Sequence, residues 1–438
     1  MLDQQPRYED YKDSGIPWLG EIPADWLWER GKWHHRYQKI LNSNGANYNV
    51  LSLTLRGVVN NDPNNPEGLV PNDYRTYQLF DKDDLVFKLI DLENVKTSRV
   101  GLVHENGIMS SAYIRLVPGS AMNSRFLYFF YYSLYQAEVF NKLGAGVRST
   151  LNQTDLLDLS VPIIDLATQN RIVDFLDAKT AEIDTAIDKK RRLIELLDEK
   201  RVALITETVI QQIDPDTGKR SVGSNGYYYK SIEDTVKWRR LRHIAEIKNS
   251  NVDKLVIGGE HSVQLCNYLD VYRNDFINAD MKFSQGSATA KEIAIFALLE
   301  GDVIITKDSE DKADIGVPAL VQSTAADLLC GYHLSILRPK SGIVIGPYLF
   351  WAILSNPTRE AFSNAACGVT RFGLTLQGIK SVSIPLPDLA TQNRIVDFLN
   401  EKTAEIDAAI SKEQRMIDLL NEFKQILIAN AVTGKIKI

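Results

Sequence analysis

Asp165 to Leu176 reads DLATQNRIVDFL, and Asp388 to Leu399 repeats it letter for letter. Twelve identical residues at an interval of 223 mark the chain as a tandem duplication. Each copy continues into KTAEID, at Lys179 to Asp184 and Lys402 to Asp407, and then into a long apolar periodicity. In the first copy Ile172, Leu176, Ile183, Ile187, Ile194, Leu197 and Leu204 follow one another in steps of 4, 7, 4, 7, 3 and 7. The same offsets give Ile395, Leu399, Ile406, Ile410, Ile417, Leu420 and Leu427 in the second. That is a heptad-like seam with polar residues on the other faces. Neither Gly nor Pro interrupts Asp165 to Ile213 or Asp388 to Val432. Each segment therefore suits one helix of roughly 40 residues, about 60 Å long. Pro162 and Pro387 precede the starts, with Asp165 or Thr168 and Asp388 or Thr391 as cap candidates. Asp214-Pro215-Asp216-Thr217-Gly218 ends the first helix and Thr433-Gly434 the second.

An amphipathic helix of this length needs a partner for its stripe, and the chain supplies an equivalent one. Two copies of one unit associate about a pseudo-twofold axis, and such an axis across the helices makes them antiparallel, with the attached domains at opposite ends of a rod. From periodicity alone the helices suit either a coiled-coil scaffold or adaptor, or a spacer for a protein whose function lies in the attached domains. The segments between them separate the two readings.

The 438 residues suit two or three domains, and 44% hydrophobic with 24% charged is ordinary for a globular protein. No window approaches 18 uninterrupted apolar residues, and the amino terminus is polar, so a cytoplasmic protein is expected. Cys266, Cys330 and Cys367 form an odd, widely spaced set with no CxxC pair, the pattern of buried small hydrophobes. A formal charge of −6 argues against a nonspecific nucleic-acid coat while leaving room for a local basic surface.

The first 40 residues carry Trp18, Trp26, Trp28 and Trp33 and read as an aromatic clamp that packs the terminus onto its domain. Apolar or alternating runs at Tyr48 to Val59, Leu85 to Ile90, Ala112 to Val117 and Leu159 to Ile163 read as strands, and Phe126 to Tyr135 as a helix. Asn60 to Gly68 is a surface loop. The second half repeats the order. Asp302 to Thr306 stands where Asp84 to Lys88 stood, Tyr332 to Leu337 answers Ala112 to Val117, and Tyr348 to Leu354 answers the aromatic helix. Gly368 to Leu374 answers Gly144 to Leu151, and Ser383-Ile384-Pro385 answers Ser160-Val161-Pro162. The boundaries are one α/β domain over 1–164, a helix over 165–213, a linker over 214–226, a second α/β domain over 227–387, and a helix over 388–432 with a tail to 438. The globular halves share order but hardly any sequence, whereas the helix openings are identical. Modules that keep one scaffold while their surfaces differ suit a protein that reads two different things.

The stretches GVRSTLNQTDLLDLSVPIIDLATQNRIVDFL and GVTRFGLTLQGIKSVSIPLPDLATQNRIVDFL resemble the specificity subunit of type I restriction-modification systems, as does the leading YKDSGIPWLGEIPADW. The resemblance covers essentially the whole chain. The second half departs from it in having Tyr227 to Arg242 (YYYKSIEDTVKWRRLR) where a copy of the leading segment is expected. The resemblance implies a noncatalytic reader of double-stranded DNA, with two α/β target-recognition domains of similar fold and two antiparallel helices as a spacer. Each domain would read one half of a bipartite, asymmetric sequence. Two modification subunits would dock along the helices and bring S-adenosylmethionine, and restriction subunits with motor and nuclease activity would bring ATP and Mg. No cofactor or metal is expected in this chain. The residues agree. There is no Asn/Asp-Pro-Pro-Tyr/Phe run for a flipped adenine and no GxxxxGK[ST] phosphate loop, and His34, His35, His104, His243, His261 and His333 lack metal-ligand spacing.

The candidate DNA contacts lie in loops bordering equivalent strands. Arg148, Ser149 and Thr150 in the first domain, and Thr370 and Arg371 in the second, follow glycines in exposed turns. Arginine engages guanine O6 and N7 together, and hydroxyls serve bases or phosphates. Lys88 and Lys307, at or just past the strand ends, are candidate phosphate contacts, and Lys237, Arg239, Arg240 and Arg242 form a further basic run.

Overall fold

The computed structural model describes residues 6–46, 48–62, 64–66, 71, 73–90, 92, 97–143, 150–211 and 237–438. The chain forms two compact units, one of Met1–Arg191 with Arg415–Ile438 and the other of Arg192–Gln414. Each unit holds one α/β domain and half of each long helix.

The helices run Leu166–Gln211 (46 residues) and Leu389–Val432 (44 residues). Their starts are capped alike: the Asp165 carboxylate accepts the Thr168 N–H at 2.9 Å, and Asp388 accepts the Thr391 N–H at 2.8 Å. Hydrogen bonds from the Thr168 and Thr391 hydroxyls and N–H groups hold both carboxyls below the usual carboxylate range. Every seam residue is buried or half-buried. Fully burying such an Ile or Leu contributes about 1.5–3 kcal/mol, so the stripe, more than intrinsic propensity, holds each helix in place.

Within the first unit the helices run antiparallel. The Lys424 ammonium donates to both Asp184 carboxylate oxygens at 2.7 Å, and Asp165, Thr168 and Arg171 share a cleft with Lys437 and Ile438. The second unit has the same arrangement. Arg201 Nε lies 3.2 Å from Asp407 Oδ1, and Ile205, Val209 and Ile210 share a core with Ile395, Val396 and Leu399. Under the 223-residue repeat Asp184 matches Asp407 and Arg201 matches Lys424, so the two ion pairs are one pair seen twice.

The domains share a central antiparallel sheet. In the first unit its order is His35–Tyr37, Ile114–Pro118, Leu85–Phe87, Val100–Leu102. In the second it is Ala245–Asn249, Leu334–Pro339, Val303–Thr306, Pro318–Val321, with Phe276–Ile277 added in parallel. The run Tyr48 to Val59 folds as a hairpin, Leu51–Thr54 with Gly57–Asn60, because Thr54 and Gly57 close a tight turn. Phe126 to Tyr135 lies in the helix Ser124–Gln136. The second half keeps the end of the leading segment: Trp238–Arg240 pairs with Ser383–Pro385 as Leu27–Arg30 pairs with Ser160–Ile163, setting Trp238 opposite Pro385 as Trp28 is opposite Pro162. Residues 227–236 lie outside the described ones.

The turn before the central strand recurs down to single hydrogen bonds. The Asp84 carboxylate accepts the Asp81 N–H at 2.7 Å, and Asp302 accepts the Leu299 N–H at 2.9 Å. Asp83 (φ 72°) and Gly301 (φ 85°) take the same left-handed position. Both aspartates are buried, and each meets an arginine from the neighbouring strand, Arg115 or Arg338. The two arginines stand at different register positions, so the duplicated domains keep the ion pair while changing its source.

The identical block also bolts each helix to its domain. Gln169, fully buried, accepts the N–H of Asn123 at 2.7 Å and donates to the carbonyls of Ala121 (3.1 Å) and Ile164 (2.8 Å). Gln392 accepts the Ile345 N–H at 3.0 Å and donates to Ile343 (3.0 Å) and Pro387 (2.9 Å). Asn123 and Ile345 are the N-cap residues of equivalent helices. One amide thus satisfies three backbone groups at each junction, which no other residue type of that size does.

Of the leading aromatics, Trp26 is buried against Tyr8, and Trp18 and Trp28 pack edge-to-face, Trp28 also against Phe130. Trp33 stands apart at 72% exposure. Cys266 and Cys330 are buried as expected, but Cys367 is exposed, because it sits on a hairpin edge. Among the described residues no helix is long and apolar enough to cross a membrane.

Candidate nucleic-acid interface

In the second domain the central strand Val303–Thr306 runs out into Lys307 and Asp308, and the Gly368 to Gly373 turn is fastened beside them. Cys367 and Gly373 exchange both backbone hydrogen bonds, at 3.0 and 2.8 Å. Asp308 pairs with Gly373 and Ser309 with Phe372, and the Leu374 N–H donates to the Lys307 carbonyl at 2.7 Å. Gly368 has φ 142°, and a Cβ there would run into the Arg371 carbonyl, so only glycine allows the turn to close. Thr370 and Arg371 project from it, exposed.

A third segment closes the cluster, since the Lys307 N–H donates to the His333 carbonyl at 3.0 Å. The Lys307 ammonium donates to the Ser250 carbonyl at 2.9 Å and lies 4.8 Å from the Tyr332 ring centroid. Burial holds that ammonium below the usual lysine range, with Asp308 acting in the opposite sense. His333 Nδ1 is 3.0 Å from Asp308 Oδ2 and 3.5 Å from Arg371 Nη2. Tyr332, 48% exposed, meets the His333 ring edge-to-face. The fold thus brings Lys307 and Arg371 into one neighbourhood and adds Asp308, Tyr332 and His333, which sequence reasoning did not select. The only signal for His333 in the sequence is its place at the start of a strand.

The first domain uses the same frame. The Leu151 N–H donates to the Leu89 carbonyl at 3.0 Å, as Leu374 does to Lys307. Leu89 therefore stands where Lys307 stands, and Lys88 matches Thr306, the N–H groups of both donating across to the next strand at 3.0 Å. Lys88 is half-buried in a cleft of about 640 Å³ lined by hydroxyls and amides that include Ser52, Thr54, Asn60, Asn61, Thr97 and Tyr113. Thr150 is exposed at the end of the glycine loop; Arg148 and Ser149 lie outside the described residues. Lys237, Arg239, Arg240 and Arg242 are exposed on and beside the strand that pairs with Ser383–Pro385, away from the Lys307 cluster in sequence and in sheet. Beside equivalent strand ends, then, one domain presents a lysine among hydroxyls and the other a group of cations and an aromatic ring. Hydroxyls, amides, guanidinium and ammonium are the groups that engage base edges and phosphates.

Two α/β domains of one fold, each fused to a long helix through the same glutamine bolt and each presenting different polar chemistry, define a duplicated DNA-specificity architecture. The chain belongs to the type I restriction modification DNA specificity domain family, whose model matches residues 38–196 and 233–414. It is 25% identical over 135 residues to the type I restriction enzyme EcoKI specificity subunit of Escherichia coli (strain K12), covering 31% of this chain and 29% of that one. With the EcoBI specificity subunit of Escherichia coli it is 21% identical over 326 residues, 70% of this chain and 65% of the relative. The chain thus spans under a third of the EcoKI subunit and just under two thirds of the EcoBI subunit. A solved chain, described under complex assembly and conformational transition of the type I R-M system, has the same fold with a TM-score of 0.69 at 15% identity, over 95% of this chain and 99% of that chain.

Proposed function

We propose that this chain is the DNA-reading specificity subunit of a type I restriction-modification complex. Each α/β domain reads one half of a bipartite, asymmetric duplex target. The long helices set the gap and dock two modification subunits. Methyl transfer from S-adenosylmethionine belongs to those subunits, and ATP- and Mg-dependent cleavage to restriction subunits, while this chain contributes recognition without chemistry or a cofactor of its own. The candidate contacts are Lys88, Arg148, Ser149 and Thr150 in the first domain and Lys307, Thr370 and Arg371 in the second.

The observation that carries this reading is the contrast within the duplication. Backbone hydrogen bonds agree residue for residue at the Asp84 and Asp302 turns and at the Leu89 and Lys307 anchors. The side chains displayed beside those anchors do not agree. A scaffold protein has no need to keep the frame and vary the display, whereas a reader of two unlike half-sites needs both. The test is competition binding by the chain assembled with its modification subunits. One bipartite duplex should be preferred over its scrambled counterpart by about 10³-fold or more at physiological salt. Equal affinity for both would contradict the proposal.

A further inference from the structure

Resting on that proposed function, we infer that Arg371 reads a guanine in the half-site of the second domain, and that His333, fixed by Asp308, is its positioning residue. Asp308 Oδ2 and His333 Nδ1 are 3.0 Å apart, so Nδ1 carries the proton and donates to the carboxylate. With that proton committed, Nδ1 is a poor acceptor for Arg371. The 3.5 Å separation to Nη2 is a close approach that steers the guanidinium without tying up its donors. Among the described residues no ion pair uses Arg371, and its side chain is exposed. Its backbone, by contrast, is closely fixed by Gly368, by the Cys367 and Gly373 pair and by the Asp308 and Gly373 ladder.

An exposed fork of parallel donors on a rigid turn fits the paired O6 and N7 acceptors of guanine in the major groove. A phosphate contact asks less of its support, since a point charge on a flexible stem suffices. The neighbours divide the labour. Lys307 is engaged by the Ser250 carbonyl and lies over Tyr332, so it stiffens the platform beneath His333. The first domain has buried Leu89 in place of Lys307, so this platform belongs to the second half-site.

The test is selection from a duplex library randomised in the half-site of the second domain, using the chain assembled with its modification subunits and reading out the methylated sequences. The wild type should require guanine at one position. Arg371→Ala should lose discrimination at that position by about ten- to a hundredfold and keep the other half-site unchanged. His333→Ala should lose part of the same preference at the same position. His333→Asn, whose amide can still donate to Asp308, should restore it. Arg371 is exposed, so thermal unfolding of Arg371→Ala should match the wild type. Uniform weakening across all sequences would make Arg371 a phosphate contact and overturn the inference, as would an unchanged guanine requirement or failure of His333→Asn to rescue. A wild-type complex with no preference in either half-site would overturn the proposed function itself.

Discussion

Replacing Gln392 by alanine removes one side chain and orphans three backbone groups: the Ile345 N–H and the carbonyls of Ile343 and Pro387, all now bonded at 2.9 to 3.0 Å. The amide is fully buried, so these three groups are shielded from bulk water. At about 1 kcal/mol net per bond, with more for each buried group left unpaired, the loss is on the order of 3–5 kcal/mol. Gln169→Ala removes the same three-bond bolt from the first domain and should cost a similar amount. Equilibrium urea unfolding followed by tryptophan fluorescence reads both, because Trp351 donates to Asn400 on the second helix while Trp28 packs on Phe130 in the first domain. Neither glutamine hydrogen-bonds to a candidate DNA contact among the described residues, so half-site preference should survive in whatever fraction stays folded. A loss under about 1 kcal/mol for either variant would mean that those backbone groups find other partners, and the account of the identical block would fail.

Other outcomes follow from the same geometry. Gly301→Ala places a side chain at φ 85° with no steric neighbour, so strain alone should cost about 1–2 kcal/mol in chemical denaturation; an unchanged midpoint would contradict it. His35 is buried against the Tyr131 hydroxyl, and burial lowers its pKa to about 4. The unfolded chain takes up a proton below about pH 6.5 while the folded imidazole stays neutral. Stability is therefore full above that pH and should fall by up to about 3 kcal/mol as the pH drops towards 4. A His35→Gln variant should show a shallower decline in pH-dependent melting, and an equally steep one would refute the assignment. Inserting one heptad into each long helix, beside Arg192 and Arg415, adds about 10 Å and should widen the tolerated gap by about three base pairs. A gap that stays the same would remove the helices from the role of ruler.

The helices were legible because a seam of fourteen apolar positions repeated without a break is a strong signal, and the structure leaves none of the fourteen exposed. The repeated order of strands was legible for a similar reason: two independent readings of one fold support each other. What the letters did not reveal is what the identical block does. Gln169 and Gln392 look like surface residues of an amphipathic helix, and only three-dimensional closure shows that each serves three backbone groups from elsewhere in its domain. The cluster at Arg371 was half legible. Glycines on both sides of a charged residue announce a turn, but nothing in Tyr332 or His333 shows that the Lys307 backbone brings them alongside. The hidden kinship of Trp28 and Trp238 has the same cause, since strand pairing with Pro162 and Pro385 preserves the position after the surrounding residues have changed.

The central claim, that two unlike domains on one repeated frame read two halves of a single target, is tested most directly by sequencing the methylome of the source organism with and without this gene. The account predicts the loss of one bipartite, asymmetric motif with a gap of fixed length. Loss of one uninterrupted motif, or no change in any motif, would contradict it.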